Sequence, residues 1–264
     1  METILNGSFG ESITIVLFLV AIVAGFVDAI AGGGGLITIP GLLLAGYPPM
    51  IALGTNRLQA VIGELTTSIV FILSKQLPTK GILLGIVCTS VGAFLGSISV
   101  SLIDNESLQA LLPFMMVAIT IYSITSSKLK SAQASKPLLS TTHFMIYSGL
   151  LIGFYNGFFG PGTGSLWMVA FVTLLGYTVK QATMATKPVN LIGNVISLIL
   201  FIILGQVDYS IGLLMGAGQI VGSIIGGKFV IVFGTKLVRP VFICVTLVMT
   251  AKLIHENVAN ILFV

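Results

Sequence analysis

Two hydrophobic stretches constrain this chain most. Each is interrupted by glycines, and each is followed by a cation set in an apolar run. Residues 25–63 read GFVDAIAGGGGLITIPGLLLAGYPPMIALGTNRLQAVIG, and residues 153–193 read GFYNGFFGPGTGSLWMVAFVTLLGYTVKQATMATKPVNLIG. Gly25 and Phe26 match Gly153 and Phe154, and Asp28 matches Asn156. After two inserted residues, Gly46-Tyr47 matches Gly176-Tyr177, Arg57 matches Lys187, and Gly63 matches Gly193. The register continues with Phe71 and Phe201, Gln76 and Gln206, Val91-Gly92 and Val221-Gly222, and Gly96 and Gly226. A duplicated, glycine-interrupted pair of hydrophobic segments is the strongest sequence pointer to a transporter's substrate site.

The medium follows from composition. Of 264 residues, 56% are hydrophobic and 8% charged, with mean hydropathy +1.11, whereas a soluble domain carries roughly 25% charged residues. No soluble fold of this size hides so much apolar surface, so the chain reads as a polytopic membrane protein surrounded by lipid bilayer. The net charge of +4 resides in short loops between apolar runs, which points to membrane orientation and not to nucleic acid. The opening METILNGSFGES has no Lys or Arg ahead of the first apolar run, so residues 12–30 read as a retained segment and not a cleaved signal. Cys88 and Cys244 lie in apolar spans without ligand spacing or a His partner, so neither a disulfide nor a metal site is expected.

Apolar runs of helical length cover 12–30, 50–74, 81–103, 108–125, 143–159, 182–205, 210–231 and 237–254. Two shorter runs, 36–45 and 165–175, follow the glycine breaks and are too short to span alone. They read as half-helices or re-entrant segments buried in protein or lining a polar cavity. The domain reading is a first repeat over 1–125, a cytoplasmic linker over 126–142 and a second repeat over 143–264. Lys75 and Lys80, then Lys128, Lys130 and Lys136, then Lys228, Lys236 and Arg239 mark cytoplasmic turns. The turns at 104–107 and 205–210 carry acids without cations and read as external. Matching segments then run in opposite directions: the halves form an inverted repeat with both termini outside. The expected fold is all-α, with eight to ten membrane segments including the broken half-helices. Whether each broken pair is a re-entrant hairpin or two tilted passes stays open.

Four consecutive glycines, Gly32, Gly33, Gly34 and Gly35, answer Gly160, Pro161, Gly162 and Gly164. In a helix each costs about 1 kcal/mol relative to Ala. In return, the segment restarting after each break presents amides and a positive dipole end, suited to an anion. No Lys-Ser/Thr follows the glycines, so this is no phosphate-binding P-loop. Isolated glycines such as Gly92 and Gly96 read instead as close helix packing. Arg57 and Lys187 each lie about two turns into an apolar run, with Asn56 and Gln59 beside the first and Thr186 and Asn190 near the second. A cation at the bilayer centre costs about 2.5–3.5 kcal/mol, so it needs an anionic partner, a wetted cavity or a route to the interface; Lys180 reads as such a snorkelling charge. Asp28 and Glu64 are carboxylates whose repeat matches are the amides Asn156 and Asn194. Either can take up and release a proton in a low-dielectric site; equally, Glu64 can pair with Arg57, and Asp28 can bond the broken backbone. His143 and His255 read as interfacial. Trp167 and Tyr155 read as pocket walls or packing. Thr38, Thr163 and Ser165 are candidate donors to an oxyanion, and Pro40 and Pro188 shape helix ends.

The stretches AGFVDAIAGGGGLITIP with ALGTNRLQA, and GFYNGFFGPGTGS with QATMATKPVN, resemble the sulfite exporter TauE/SafE family over about residues 12–255. The resemblance implies a secondary transporter of the bacterial inner membrane that moves sulfite, related sulfur oxyanions or organosulfonates. It also implies a substrate site built from the doubled motifs. Carried over here, those positions are Asp28, Gly32, Gly33, Gly34, Thr55, Asn56, Arg57 and Gln59, with Asn156, Gly160, Gly162, Thr163, Lys187 and Asn190. The second break, GPGTGS, departs from the first by an extra residue and a proline.

The expected function is therefore a carrier of a small anionic substrate, with Asp28 or Glu64 as proton-coupling groups. No enzyme activity and no cofactor are expected, and a homo-oligomer is compatible. An anion channel, or a transporter of another small organic anion, is the alternative. A membrane enzyme is disfavoured by the lack of paired acid/base residues outside the repeats. A cation/proton antiporter is disfavoured by the matched Arg57 and Lys187.

Overall fold

The structure, a computed structural model, describes residues 8–125 and 136–233. The apolar run at 237–254 lies outside the described residues, with Lys236, Arg239, Cys244 and His255; so do Lys128 and Lys130 of the linker. Among the described residues the secondary structure is entirely helical. The order is α1 (Ser8–Ala31), α2 (Gly35–Leu44), α3 (Pro49–Leu73), α4 (Ile82–Ser101), α5 (Asn105–Thr125), α6 (Thr141–Phe158), α7 (Thr163–Leu174), α8 (Val179–Ile203) and α9 (Tyr209–Phe233).

Among the described residues, four stretches are long and apolar enough to cross a membrane: Ser12–Ala31, Ile82–Ser101, Val179–Ile203 and Tyr209–Phe233. Helix α3 has 25 residues, but its hydropathy is diluted by Asn56, Arg57, Gln59 and Glu64, all buried. Helices α2 and α7, with 10 and 12 residues, reach only about 15 and 18 Å against a hydrocarbon core of about 30 Å. They are the short segments expected after the glycine breaks. Helix α6 begins at Thr141, inside the stretch read as linker, because Ser140 caps it by accepting the His143 amide.

Backbone conformation explains the breaks. Gly32 has φ +69°, Gly160 +94° and Gly162 +76°, a region where a Cβ is strained. Where the two breaks meet, the Ser165 amide donates to Gly32 O at 3.1 Å and the Ser165 hydroxyl to Ala31 O at 2.7 Å. A Cβ on Gly32 or on Gly164 would strike the backbone of the other.

Helices α1 and α9 pack along each other, as do α4 and α6, while α3 and α8 lie against each other in the centre. Small residues permit the close approach. Gly218, Gly222 and Gly226 of α9 face backbone of α1 at Phe18, Ile22 and Phe26. Gly92 and Gly96 of α4 face backbone of α6 at Leu150 and Phe154, with Gly149, Gly153 and Gly157 answering from α6. These are packing glycines, spaced four apart as in membrane helix pairs. Outward faces carry exposed Leu83, Phe94, Leu151, Leu213 and Ile225, while Arg57 and Glu64 of α3 and Lys187 of α8 are buried. That arrangement suits lipid as the solvent.

Candidate functional site

Helices α3 and α8 carry Arg57 and Lys187, each 1% exposed. Each cation reaches the end of a broken helix in the other half of the chain. Arg57 Nη1 donates to Asn156 Oδ1 at 2.7 Å, and its Nη2 donates to Asn156 O and to Gly157 O, at the last turn of α6. Lys187 Nζ donates to Asp28 O at 2.5 Å and to Asp28 Oδ2 at 2.8 Å, near the last turn of α1. The last carbonyls of a helix lack intrahelical partners and carry the negative end of its dipole, so a buried cation is well placed there. Asp28 also bridges its own break: its Oδ1 accepts the Gly34 amide at 3.1 Å, and its carbonyl accepts the Gly32 amide. Gly160 lies against the guanidinium, where a Cβ would collide with the Arg57 nitrogens.

A layer of amides joins the two cations. Glu64, two turns beyond Arg57 on α3, is 2% exposed. Its Oε1 accepts from Asn190 Nδ2, its Oε2 from Asn194 Nδ2 at 3.4 Å, and Oε1 lies 3.9 Å from Lys187 Nζ. Asn156 Nδ2 donates to Asn190 Oδ1 at 2.9 Å, and Arg57 Nη1 to Asn194 Oδ1 at 2.8 Å. Among the described residues, the ion pairs of this core are both made by Lys187, with Asp28 and Glu64. Arg57 meets only amide and carbonyl oxygens, and its buried Nε has no hydrogen-bond partner. A second cluster is uncharged: Thr38 and Gln59 both donate to Asn56 Oδ1, at 2.6 and 2.7 Å, and Gln219 donates to Gln59.

The sequence-chosen residues therefore fall into separate groups. Asp28, Arg57, Glu64, Asn156, Lys187 and Asn190 share one network, joined by Gly34 and Gly160. Asn56 and Gln59 stand in the neighbouring uncharged cluster with Thr38. Gly32 lies at the crossing of the breaks, and Gly33 O accepts the Leu36 amide at the start of α2. Thr55 is elsewhere: its hydroxyl accepts the Asp208 amide at 2.9 Å, in the α8–α9 turn. Thr163 is spent on Gly160 O, and Gly162 packs against Ile119 of α5. The direct Arg57–Glu64 pair expected as one alternative is absent; Asn194 stands between them. Trp167 packs with Phe144 and Phe171, and the Tyr155 hydroxyl donates to Pro161 O. Lys180 donates to Ile231 O at the end of α9. Asn194 and Gln219 were not chosen from the sequence. The available signal was a lone amide in an apolar run, and for Asn194 its register with Glu64.

Apolar helices around two buried cations, their two carboxylates and several amides define an all-helical membrane protein with charge held inside the apolar bundle. The chain belongs to the sulfite exporter TauE/SafE family, whose profile matches residues 17–253. It is 40% identical over 248 residues to a probable membrane transporter protein of Haemophilus influenzae, covering 94% of this chain and 97% of that protein. It is 40% identical over 242 residues to the probable membrane transporter protein YfcA of Escherichia coli, covering 92% and 90%. It is 38% identical over 242 residues to the probable membrane transporter protein ORF9 of a Sinorhizobium species, covering 91% and 92%. No solved structure matches the chain. The protein is thus a membrane transporter of this family.

Proposed function

We propose that the chain is a secondary transporter that moves small sulfur-containing anions, such as sulfite, related oxyanions or organosulfonates, across the bacterial inner membrane, with proton coupling through Asp28 or Glu64. One observation carries this reading: two repeat-matched cations, Arg57 and Lys187, are buried, each against the broken helix end of the opposite half. A pair of fixed positive charges at interrupted helices suits an anion, and helix breaks at the interface of two repeats suit alternating access. The two halves, 1–125 and 143–264, are taken as inverted repeats joined by a cytoplasmic linker, with eight to ten membrane segments and external termini. The exchanged packing of α1 with α9 and of α4 with α6 fits that arrangement.

Sulfite and methanesulfonate flux into proteoliposomes, with and without an imposed pH gradient, tests the reading. Gradient-stimulated uptake of either anion is expected. Folded protein that moves neither would remove the sulfur-anion assignment. Arg57→Gln is expected to abolish stabilisation by these anions in thermal unfolding; an unchanged shift would sink the site assignment. Steady single-channel current in a planar bilayer would replace the carrier with an anion channel.

A further inference from the structure

The amides between Arg57 and Glu64 all point one way. Arg57 Nη1 donates to Asn194 Oδ1, and Asn194 Nδ2 donates to Glu64 Oε2. In parallel, Nη1 donates to Asn156 Oδ1, Asn156 Nδ2 to Asn190 Oδ1, and Asn190 Nδ2 to Glu64 Oε1. This polarity is forced at both ends, because a guanidinium only donates and a carboxylate only accepts. Two strands of asparagine thus relay one buried cation to one buried anion, and both strands end on the same guanidinium nitrogen.

The two carboxylates differ in what surrounds them. Both oxygens of Asp28 face donors that cannot reverse: Oδ1 takes the Gly34 amide and Oδ2 the Lys187 ammonium. The oxygens of Glu64 are bonded by side-chain amides, which become acceptors when they turn over. The other charged and titratable groups near Glu64 are Lys187 on α8, Asp28 on α1 and Arg57 behind the amides. α6 contributes Tyr155, whose hydroxyl is bonded to Pro161 O, and α9 presents Gln219, which does not titrate.

Resting on the transporter reading above, we infer that protonation of Glu64 reverses one strand of this asparagine relay and frees one N–H of Arg57 Nη1 for the substrate anion, so that one proton enters with each monoanion. A protonated Glu64 must donate, so Asn194 or Asn190 turns its oxygen toward it. The turned Asn194 brings Nδ2 against Nη1, donor against donor; turning Asn190 does the same through Asn156. One N–H of Nη1 then joins the unpartnered Nε–H as a donor without a protein acceptor, while the other N–H keeps its asparagine. The charges agree. Asp28 and Glu64 balance Arg57 and Lys187; neutral Glu64 leaves the core one positive charge in excess, and a monoanion restores neutrality. The proton comes from solvent and no covalent bond of the substrate changes. Asn156, Asn190 and Asn194 are positioning residues that make the two binding events one.

Methanesulfonate is the probe, since its charge is constant over the working pH range. Its affinity for the purified full-length chain is measured against pH, and proton uptake on binding is followed with an indicator dye in weak buffer. Wild-type affinity is expected to fall about tenfold per pH unit once Glu64 is ionised in the free protein, with uptake approaching about one proton per anion. Glu64→Gln is expected to bind without uptake and with a flat profile. Asn190→Leu combined with Asn194→Leu keeps both charges but removes the relay. It is expected to gain affinity at alkaline pH, which mere structural damage would not produce. Binding by wild type without proton uptake, or uptake that persists in Glu64→Gln, overturns the inference while leaving the transporter reading in place. Alkaline affinity no higher than wild type in a folded double asparagine variant also overturns it. If neither methanesulfonate nor sulfite binds wild type at any pH, the sulfur-anion reading fails and the inference with it.

Discussion

Arg57 and Lys187 show two ways of keeping a cation in an apolar interior. Lys187 is neutralised by a carboxylate at 2.8 Å, and Arg57 is solvated by amide and carbonyl oxygens. Removing one partner of a buried pair is costlier than removing both. Asp28→Asn is therefore expected to destabilise the protein by about 3 kcal/mol, the low end of the usual range because Glu64 stays 3.9 Å from the ammonium. Adding Lys187→Met should recover part of that loss. Thermal unfolding in detergent of the single and double variants checks this, and strictly additive losses would contradict it. At the surface, the Tyr47 hydroxyl donates to Asp208 Oδ2 at 3.4 Å, and burial together with that carboxylate pushes its pKa up to about 12. The folded value lies above the ordinary value of 10. The stabilisation is therefore complete below pH 10 and is lost as pH rises through about 12. The stability gap between wild type and Tyr47→Phe should close over that window, as read from unfolding curves at increasing pH. Residue identities in the core were legible because a polar side chain repeated in an apolar run is conspicuous. Their partners were not. Arg57 and Asn156 are 99 positions apart, Lys187 and Asp28 are 159 apart, and only the packing of α1 and α6 onto the centre brings them together. Thr55 has the same motif-level credentials as Asn56, yet it faces the α8–α9 turn, because a helix distributes neighbouring residues around its axis.

At the level of elements, glycine does two jobs that look alike in sequence. Gly41 lies inside α2, where an added Cβ would make ordinary contact with Val20 at 3.4 Å. Gly41→Ala is therefore expected to stabilise the protein by up to about 1 kcal/mol. Gly222 faces backbone atoms of Ile22 and Phe26 on α1. Gly222→Ala must part α9 from α1 and is expected to cost about 1–3 kcal/mol. Unfolding midpoints in the same detergent separate the two cases, and equal effects would refute the packing argument. The half-length helices were legible from run length and glycine clusters. The start of α6 was not, because a polar Ser-Thr-Thr-His stretch reads as linker until Ser140 is seen capping the helix.

For the whole molecule, orientation is the most direct check. Helix α4 separates Lys80 from Ser107, and it is long and apolar enough to cross a membrane. Single cysteines at these positions, in a chain freed of Cys88 and Cys244, should react with a membrane-impermeant thiol reagent from opposite sides of sealed vesicles. Labelling from one side would rule out the orientation read from loop charge. The crossing of the two breaks has a mechanical consequence. Backbone bears on backbone where Gly32 meets Gly164, with no side chain from either to act as a tooth. Two smooth surfaces pressed together carry load across the contact yet offer little purchase against sliding along it, as in a plain bearing. Any rocking of α1 and α2 against α6 and α7 therefore turns on a fulcrum with low friction, and the resistance to that motion lies in the tethers around it, the two Ser165 bonds and the crossed cations.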